Sequence, residues 1–166
     1  LAGACTTIDC PLNNTTYSKY DLCDATGKTD TLHDTLTVTT TRKSDGKDTV
    51  LLNRAVDITT FSLPMSYTGK EDVVTFTLKT REHTTLTDVV TIGKSNQSHF
   101  ESTDCSPSYF HTISGINHTK NVIDSIVVTD PNVDNDANKT HFKIYFHPGH
   151  SPTDVAHLRF GTGTQG

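Results

Sequence analysis

The chain has no tryptophan and one methionine, and alanine, leucine and glutamate are sparse among its 166 residues. Those last three are strong helix formers, so long helices have little material. No apolar run approaches the roughly 18 residues that a membrane-crossing helix needs. Positive charge is in deficit: 14 Lys and Arg face 19 Asp and Glu, for a formal net charge of −5. A nucleic-acid binder carries a basic stripe, and this composition argues against one. Several motifs are missing as well. There is no C-x-x-C redox pair, no G-x-S-x-G elbow, no phosphate-binding G-x-x-x-x-G-K-[ST] loop and no H-E-x-x-H. No catalytic residue, cofactor-binding residue or resident metal is therefore assigned, and the expectation is a non-enzymatic binding or structural module without a cofactor.

What is abundant is threonine, with serine, valine, isoleucine and aspartate around it. β-branched side chains lose χ1 freedom in helices and pack well on pleated surfaces, so an all-β fold is expected. The length suits one domain with a real core. Strand-like segments follow one another with turn signals between them. Leu36 and Val38 alternate with threonines in "TLTVTTTRK", "SDGK" at 44–47 supplies a turn, and "DTVLLN" pairs back as a hairpin. "AVDITTFSL" follows up to Pro64. In "VVTFTLKT", Val74, Phe76 and Leu78 face one way while Thr75, Thr77 and Lys79 face the other. "LTDVVTIG" is expected to end at Gly93. After Cys105 come "SYFHTISGI", "NVIDSIVVTD" and "THFKIYFHP", the last alternating Phe142, Ile144 and Phe146 with His141, Lys143, Tyr145 and His147. Period-2 alternation over this many segments predicts a two-sheet sandwich with one face of each sheet buried. The expected organisation is a single domain over 1–160 and a flexible Gly-Thr tail over 161–166.

Cys5, Cys10 and Cys23 crowd one end of the chain, and Cys105 lies far from them. Zinc would need a second C-x₂₋₄-C pair, which is absent. Two disulfides are expected, one running from the N-terminal segment to Cys105. That bridge closes a loop of roughly 80–100 residues, worth about 4–5 kcal/mol in the chain-entropy account. The three connectivities remain open. Asn13, Asn14, Asn96, Asn117 and Asn138 each begin an N-x-[ST] sequon, and with the even cysteine count they favour secretion. The opening "LAGAC" is similar to the end of a lipoprotein signal but has no apolar segment before it, and reads as the start of a processed segment. Asp130, Asn132, Asp134 and Asp136 match positions 1, 3, 5 and 7 of a calcium loop. Position 6 is Asn135 instead of glycine and position 12 is His141 instead of glutamate, so a polar hairpin connection is expected. The late histidines His141, His147, His150 and His157 read as turn and surface residues.

The segments "IDCPLNNTTYSKYDLC" and "LTVTTTRKSDGKDTVLLN", together with Cys105 and "SPSYF", resemble the zona pellucida N-type (ZP-N) repeats of egg coats over nearly the whole chain. The resemblance implies an immunoglobulin-like sandwich stapled by disulfides, in a secreted glycoprotein of the egg vitelline envelope. It implies binding to a strongly basic sperm protein (a lysin) and to neighbouring repeats of the same coat, without cleavage, nucleic acid or membrane insertion. A net charge of −5 suits a basic partner. ZP-N domains pair four cysteines first-to-fourth and second-to-third. Under the resemblance either Cys10–Cys105 is the outer bridge beside a local Cys5–Cys23 loop, or Cys23–Cys105 is the inner one, with Tyr109 the late-strand tyrosine. His141, Lys143 and Tyr145 are the candidate partner contacts. The rival readings are a generic immunoglobulin-like adhesion or immune-evasion module binding a protein or glycan, and a hydrolase with an irregular site.

Overall fold

The structure is a computed structural model and describes residues 14–147. The described chain is all-β, with ten strands in two packed sheets. They are β1 (Tyr17–Cys23), β2 (Thr35–Thr41), β3 (Asp48–Ala55), β4 (Thr60–Pro64), β5 (Glu71–Lys79), β6 (Thr85–His99), β7 (Ser108–His118), β8 (Ile123–Val128), β9 (Asn132–Val133) and β10 (Phe142–Phe146). The smaller sheet has the order β4-β1-β10-β8 and the larger β3-β2-β5-β6-β7-β9. All pairings are antiparallel except β1 with β10, which run parallel.

Alternation decides which side chains meet between the sheets. Leu36 and Val38 on β2, Val74, Phe76 and Leu78 on β5, and Val90 and Ile92 on β6 are all buried. They face Tyr20 and Leu22 on β1, Phe61 and Leu63 on β4, and Phe142 and Ile144 on β10 across one shared core. Its centre is aromatic. Tyr20 stacks on Phe61 at 4.9 Å and on Phe142 at 4.6 Å, and Phe76 of the opposite sheet meets Tyr20 edge-on at 6.2 Å. Offset stacks and edge contacts of this kind add about 0.5–1.5 kcal/mol each beyond area burial.

The hairpin expected at 44–47 is present: Arg42 and Lys47 close it, and Gly46 sits at φ 68°. Two expectations are corrected. "AVDITTFSL" is not one strand, because Arg54 and Asp57 adopt left-handed φ values of 50° and 56° and the chain leaves the large sheet before β4. Gly93 does not end its strand, and β6 runs on to His99. Gly93 instead faces a β-bulge. Its pairing partner is Gly115, the next pair is Lys94 with Ile113, and Ser114 is left over. A Cβ on Gly93 would lie 2.7 Å from Ser114 Oγ, so a larger residue here would require the Ser114 side chain to turn away.

The cysteine expectation is corrected in part. Cys23 is a free, fully buried thiol at the end of β1, so neither Cys5–Cys23 nor Cys23–Cys105 forms. It pairs with Tyr145 on β10 and is buried outside the core between the sheets, where it behaves as a small hydrophobe. Cys105 is disulfide-bonded. Cys5, Cys10, Asn13, His150, His157 and the 161–166 tail lie outside the described residues.

Candidate binding face

The outer side of the large sheet carries the residues that alternation turns away from the core. Thr39 on β2 pairs with Val50 on β3 and with Thr75 on β5, and Thr75 pairs with Val89 on β6. The adjacent row runs Thr37–Thr77–Thr87, and the one beyond it Thr35–Lys79–Thr85. Val73, Thr91 and Asn117 form a further row across β5, β6 and β7. Val50, Val73 and Val89, on the same face, are 53 %, 47 % and 40 % exposed. Neighbouring strands lie about 4.8 Å apart and same-face residues about 6.7 Å along a strand. The result is a regular grid of hydroxyls and methyls with few charges.

β6 spans the face from end to end. Its 15 residues reach about 46 Å at roughly 3.3 Å per residue. At its far end His99 and Phe110 stack at 4.3 Å and 14°, beside an exposed Phe100. Both ring residues belong to the outward-facing register of β6 and β7.

An open cleft of about 740 Å³ lies between the Gly69–Glu71 turn and the Gly93–Asn96 segment. Lys94, on the inward side of β6, is 3 % exposed. Its ammonium donates to the carbonyls of Ser66 (2.9 Å) and Gly69 (3.1 Å) and to Asn96 Oδ1. Burial pulls the Lys94 pKa down, with Asp72 opposing. With Thr68 O at 3.4 Å, four acceptors share the three protons of the ammonium, so Lys94 acts as a tie for the 66–70 loop and has no lone pair to offer a substrate. Asn96 Nδ2 donates to Gly69 O at 2.9 Å, and His111 lies 2.8 Å from Asn96 Oδ1. Asp72 anchors the same loop through the Ser66 amide and hydroxyl.

Of the expected partner contacts, Lys143 and Tyr145 are half-buried on the outer side of the small sheet, where Lys143 reaches the Gly27 carbonyl at 3.5 Å. His141 is corrected: it is completely buried. Its Nδ1 accepts the Lys19 amide at 2.9 Å, while its own amide donates to Lys19 O at 2.9 Å. The imidazole thus takes the place of a backbone carbonyl at the start of the parallel β1–β10 ladder and presents nothing to a partner. Burial lowers its pKa, and Lys139 lowers it further.

Among the sequons, Asn117 and Asn138 are exposed, Asn14 is half-buried, and Asn96 is engaged as described. In the calcium-like segment, Asp130, Asp134 and Asp136 accept the amides two residues on, and the Lys139 ammonium bridges Asp134 (3.1 Å) and Asp130 (3.6 Å). This is the polar connection expected, with β9 inside it. Among the described residues no group of three or more His, Cys, Asp or Glu could hold a metal ion. The same residues contain no helix long and apolar enough to cross a membrane.

The threonine grid was visible in the alternation of "TLTVTTT" and "VVTFTLKT", but its cross-strand register was not. The network joining Lys94 and Asn96 to His111 gave no signal, because 15–17 residues and a bulge separate the partners.

None of the curated proteins and none of the solved structures matches this chain. A family of unknown function, DUF6452, matches residues 35–146, which is more than half of the chain and runs from β2 to the end of β10. The chain therefore belongs to the DUF6452 family.

Proposed function

We propose that this chain is a non-catalytic module of the cell exterior that binds a carbohydrate chain along the outer face of its large sheet. The observation that carries the reading is the in-register Thr37–Thr77–Thr87 row, flanked by Val50–Thr39–Thr75–Val89. Each threonine offers a hydroxyl that both donates and accepts, beside a methyl group. A glycan presents the same mixture of hydroxyls and C–H faces. The stacked His99 and Phe110 supply a ring platform at one end of the face. A grid this long suits a polymer better than a compact ligand.

The test is titration calorimetry of the full chain against soluble polysaccharides: a neutral β-glucan, a xylan and a sulfated galactan. Saturable binding to at least one is expected, lost in Thr77→Glu, which places a charge mid-grid, and kept in Val127→Ala, on β8 of the small sheet. No binding across the panel, or equal binding by Thr77→Glu, would sink the reading.

The second reading is the one the ZP-N resemblance supplies, an immunoglobulin-like egg-coat repeat that binds a basic sperm protein. The net charge of −5 favours it. The free Cys23 weighs the other way, since the ZP-N framework pairs all four cysteines. Titration with a basic sperm-extract protein over a salt series separates the two. Salt-sensitive binding of the basic protein without polysaccharide binding supports the egg-coat reading, and polysaccharide binding without binding of the basic protein supports ours.

A further inference from the structure

A concavity of about 270 Å³ opens at the end of the large sheet where β2, β3 and β5 meet, lined by His33, Arg54, Lys79, Arg81 and His83 with Thr35 and Thr80. Its charge is one-sided: among the described residues three permanent cations and no carboxylate line it, in a chain whose net charge is −5. Arg42, by contrast, is matched by Asp45, and Lys139 by Asp130 and Asp134. Among the described residues, Arg54, Lys79 and Arg81 make no ion pair with any carboxylate. His33 is held from outside by Asp57 at 2.8 Å.

Two local distortions converge on this spot. Between the pairs Leu36–Ala55 and Val38–Leu52, β3 carries one residue more than β2, so Asn53 and Arg54 face Thr37 alone. Arg54 takes φ 50° there, and its amide donates to Thr37 Oγ1 at 3.2 Å. A non-glycine residue other than Asn, Asp or His is uncommon at such φ, and a bulge re-aims the side chain it carries. His83, at φ 65°, sits in the β5–β6 hairpin, which Thr80 closes by accepting the His83 amide at 3.0 Å and the Thr84 amide at 3.1 Å. That turn sets Arg81 and His83 beside Lys79. Like charges gathered at the cost of backbone strain are poor for stability and good for holding an anion.

The geometry points to an oxyanion-binding pocket that takes a sulfate, phosphate or carboxylate group. Arg54 and Arg81 supply planar forks and Lys79 a point charge, the donor set suited to a tetrahedral or planar oxyanion. The pocket shares Thr35 and Lys79 with the outer grid. Resting on the glycan reading, this makes the polymer an acidic one, with its charged substituent seated at the β2–β3–β5 end.

The pocket is tested apart from the polymer by following backbone amides in NMR while sodium sulfate, phosphate or acetate is added at fixed ionic strength against chloride. Saturable shifts confined to residues 33–35, 54 and 79–83 are expected. Arg81→Gln, which leaves the bulge intact, weakens binding about tenfold or more, the loss of one charge-assisted hydrogen bond. Arg54→Lys, which keeps the charge and loses the fork, weakens it less. Shifts that are unsaturable, equal in chloride or spread over the surface would overturn the pocket. Sulfate binding without any polysaccharide binding would keep the pocket and remove the glycan reading. Equal affinity for the sulfated galactan and its desulfated form would overturn the proposed seating of the substituent.

Discussion

His111 Nδ1 lies 2.8 Å from Asn96 Oδ1, and this contact locks an asparagine that the N-x-S pattern marks as a glycan acceptor. The Lys94 ammonium also donates to Oδ1, and Nδ2 donates to the Gly69 carbonyl, so His111 carries its proton on Nδ1. A glycan would take one of the two Nδ2 protons and force bulk into a half-buried site. In a secretory host, glycopeptide mass spectrometry is expected to find sugar on Asn117 and Asn138 and little on Asn96. Asn96→Leu is expected to destabilise the fold by about 1–3 kcal/mol, because the Lys94 ammonium and His111 Nδ1 lose their shared acceptor. Full occupancy of Asn96 in a folded, stable product would contradict the network.

Asp88 is the buried carboxylate of the large sheet, at 0 % exposure. Oδ1 accepts Thr119 Oγ1 (2.6 Å) and the Asn121 amide (2.7 Å), and Oδ2 accepts the Val122 and Ile123 amides, both at 2.8 Å. Burial raises its pKa, but these four donors outweigh it and hold the carboxyl below the usual range. Asp88→Asn turns an acceptor into a donor facing N–H groups, and chemical denaturation should show a loss of about 2–4 kcal/mol. Because the folded pKa is the lower one, the stabilisation is complete above about pH 4 and is lost as pH falls through the folded value. An unchanged midpoint for Asp88→Asn would refute this role.

His141 and His111 set a second pH dependence. Burial lowers both pKa values, with Lys139 acting the same way on His141 and Lys94 on His111. Asp130 and Asp134 oppose the shift at His141, and Asp72 at His111. The unfolded chain then takes up protons first, so stability is full above about pH 6.5 and falls as pH drops from there toward the folded values. For two such histidines the slope reaches at most about 2.7 kcal/mol per pH unit. Protonating His141 also turns its acceptor nitrogen against the Lys19 amide. Denaturation midpoints between pH 7 and 5 should fall in the parent chain and fall less in His141→Gln. A flat profile would show that neither histidine is buried in neutral form.

Cys23 is a free thiol whose pKa burial raises, with Lys143 opposing. The thiolate is the reactive form, so iodoacetamide is expected to leave Cys23 unmodified in the folded chain and to label it after denaturation. Peptide mapping reads this directly. Labelling of native Cys23 within minutes, or its recovery in a disulfide, would contradict the packing of β1.

Much of the sandwich was legible because its signal is local. Leu36 and Val38, Val74, Phe76 and Leu78, and Phe142, Ile144 and Phe146 each announce a buried face by alternation, and all are buried. Where long-range geometry overrode local pattern, reading failed. Gly93 looks like a terminator until Ser114 is seen against it. His141 looks outward by parity, because Phe142 and Ile144 face the core, yet it lies one residue before β10, where the ladder needs an acceptor for the Lys19 amide. The cation pocket was invisible: Arg54, Lys79 and Arg81 belong to three segments that only a bulge and a hairpin bring together.

The central claim is that ligand lies on the outer face of the large sheet. Methyl NMR of the threonines during polysaccharide titration tests it most directly. The account predicts saturable perturbation of Thr37, Thr39, Thr75, Thr77 and Thr87, abolished by Thr77→Glu. Perturbation centred on the small sheet around Lys143 and Tyr145, or no perturbation with any polysaccharide, would contradict it.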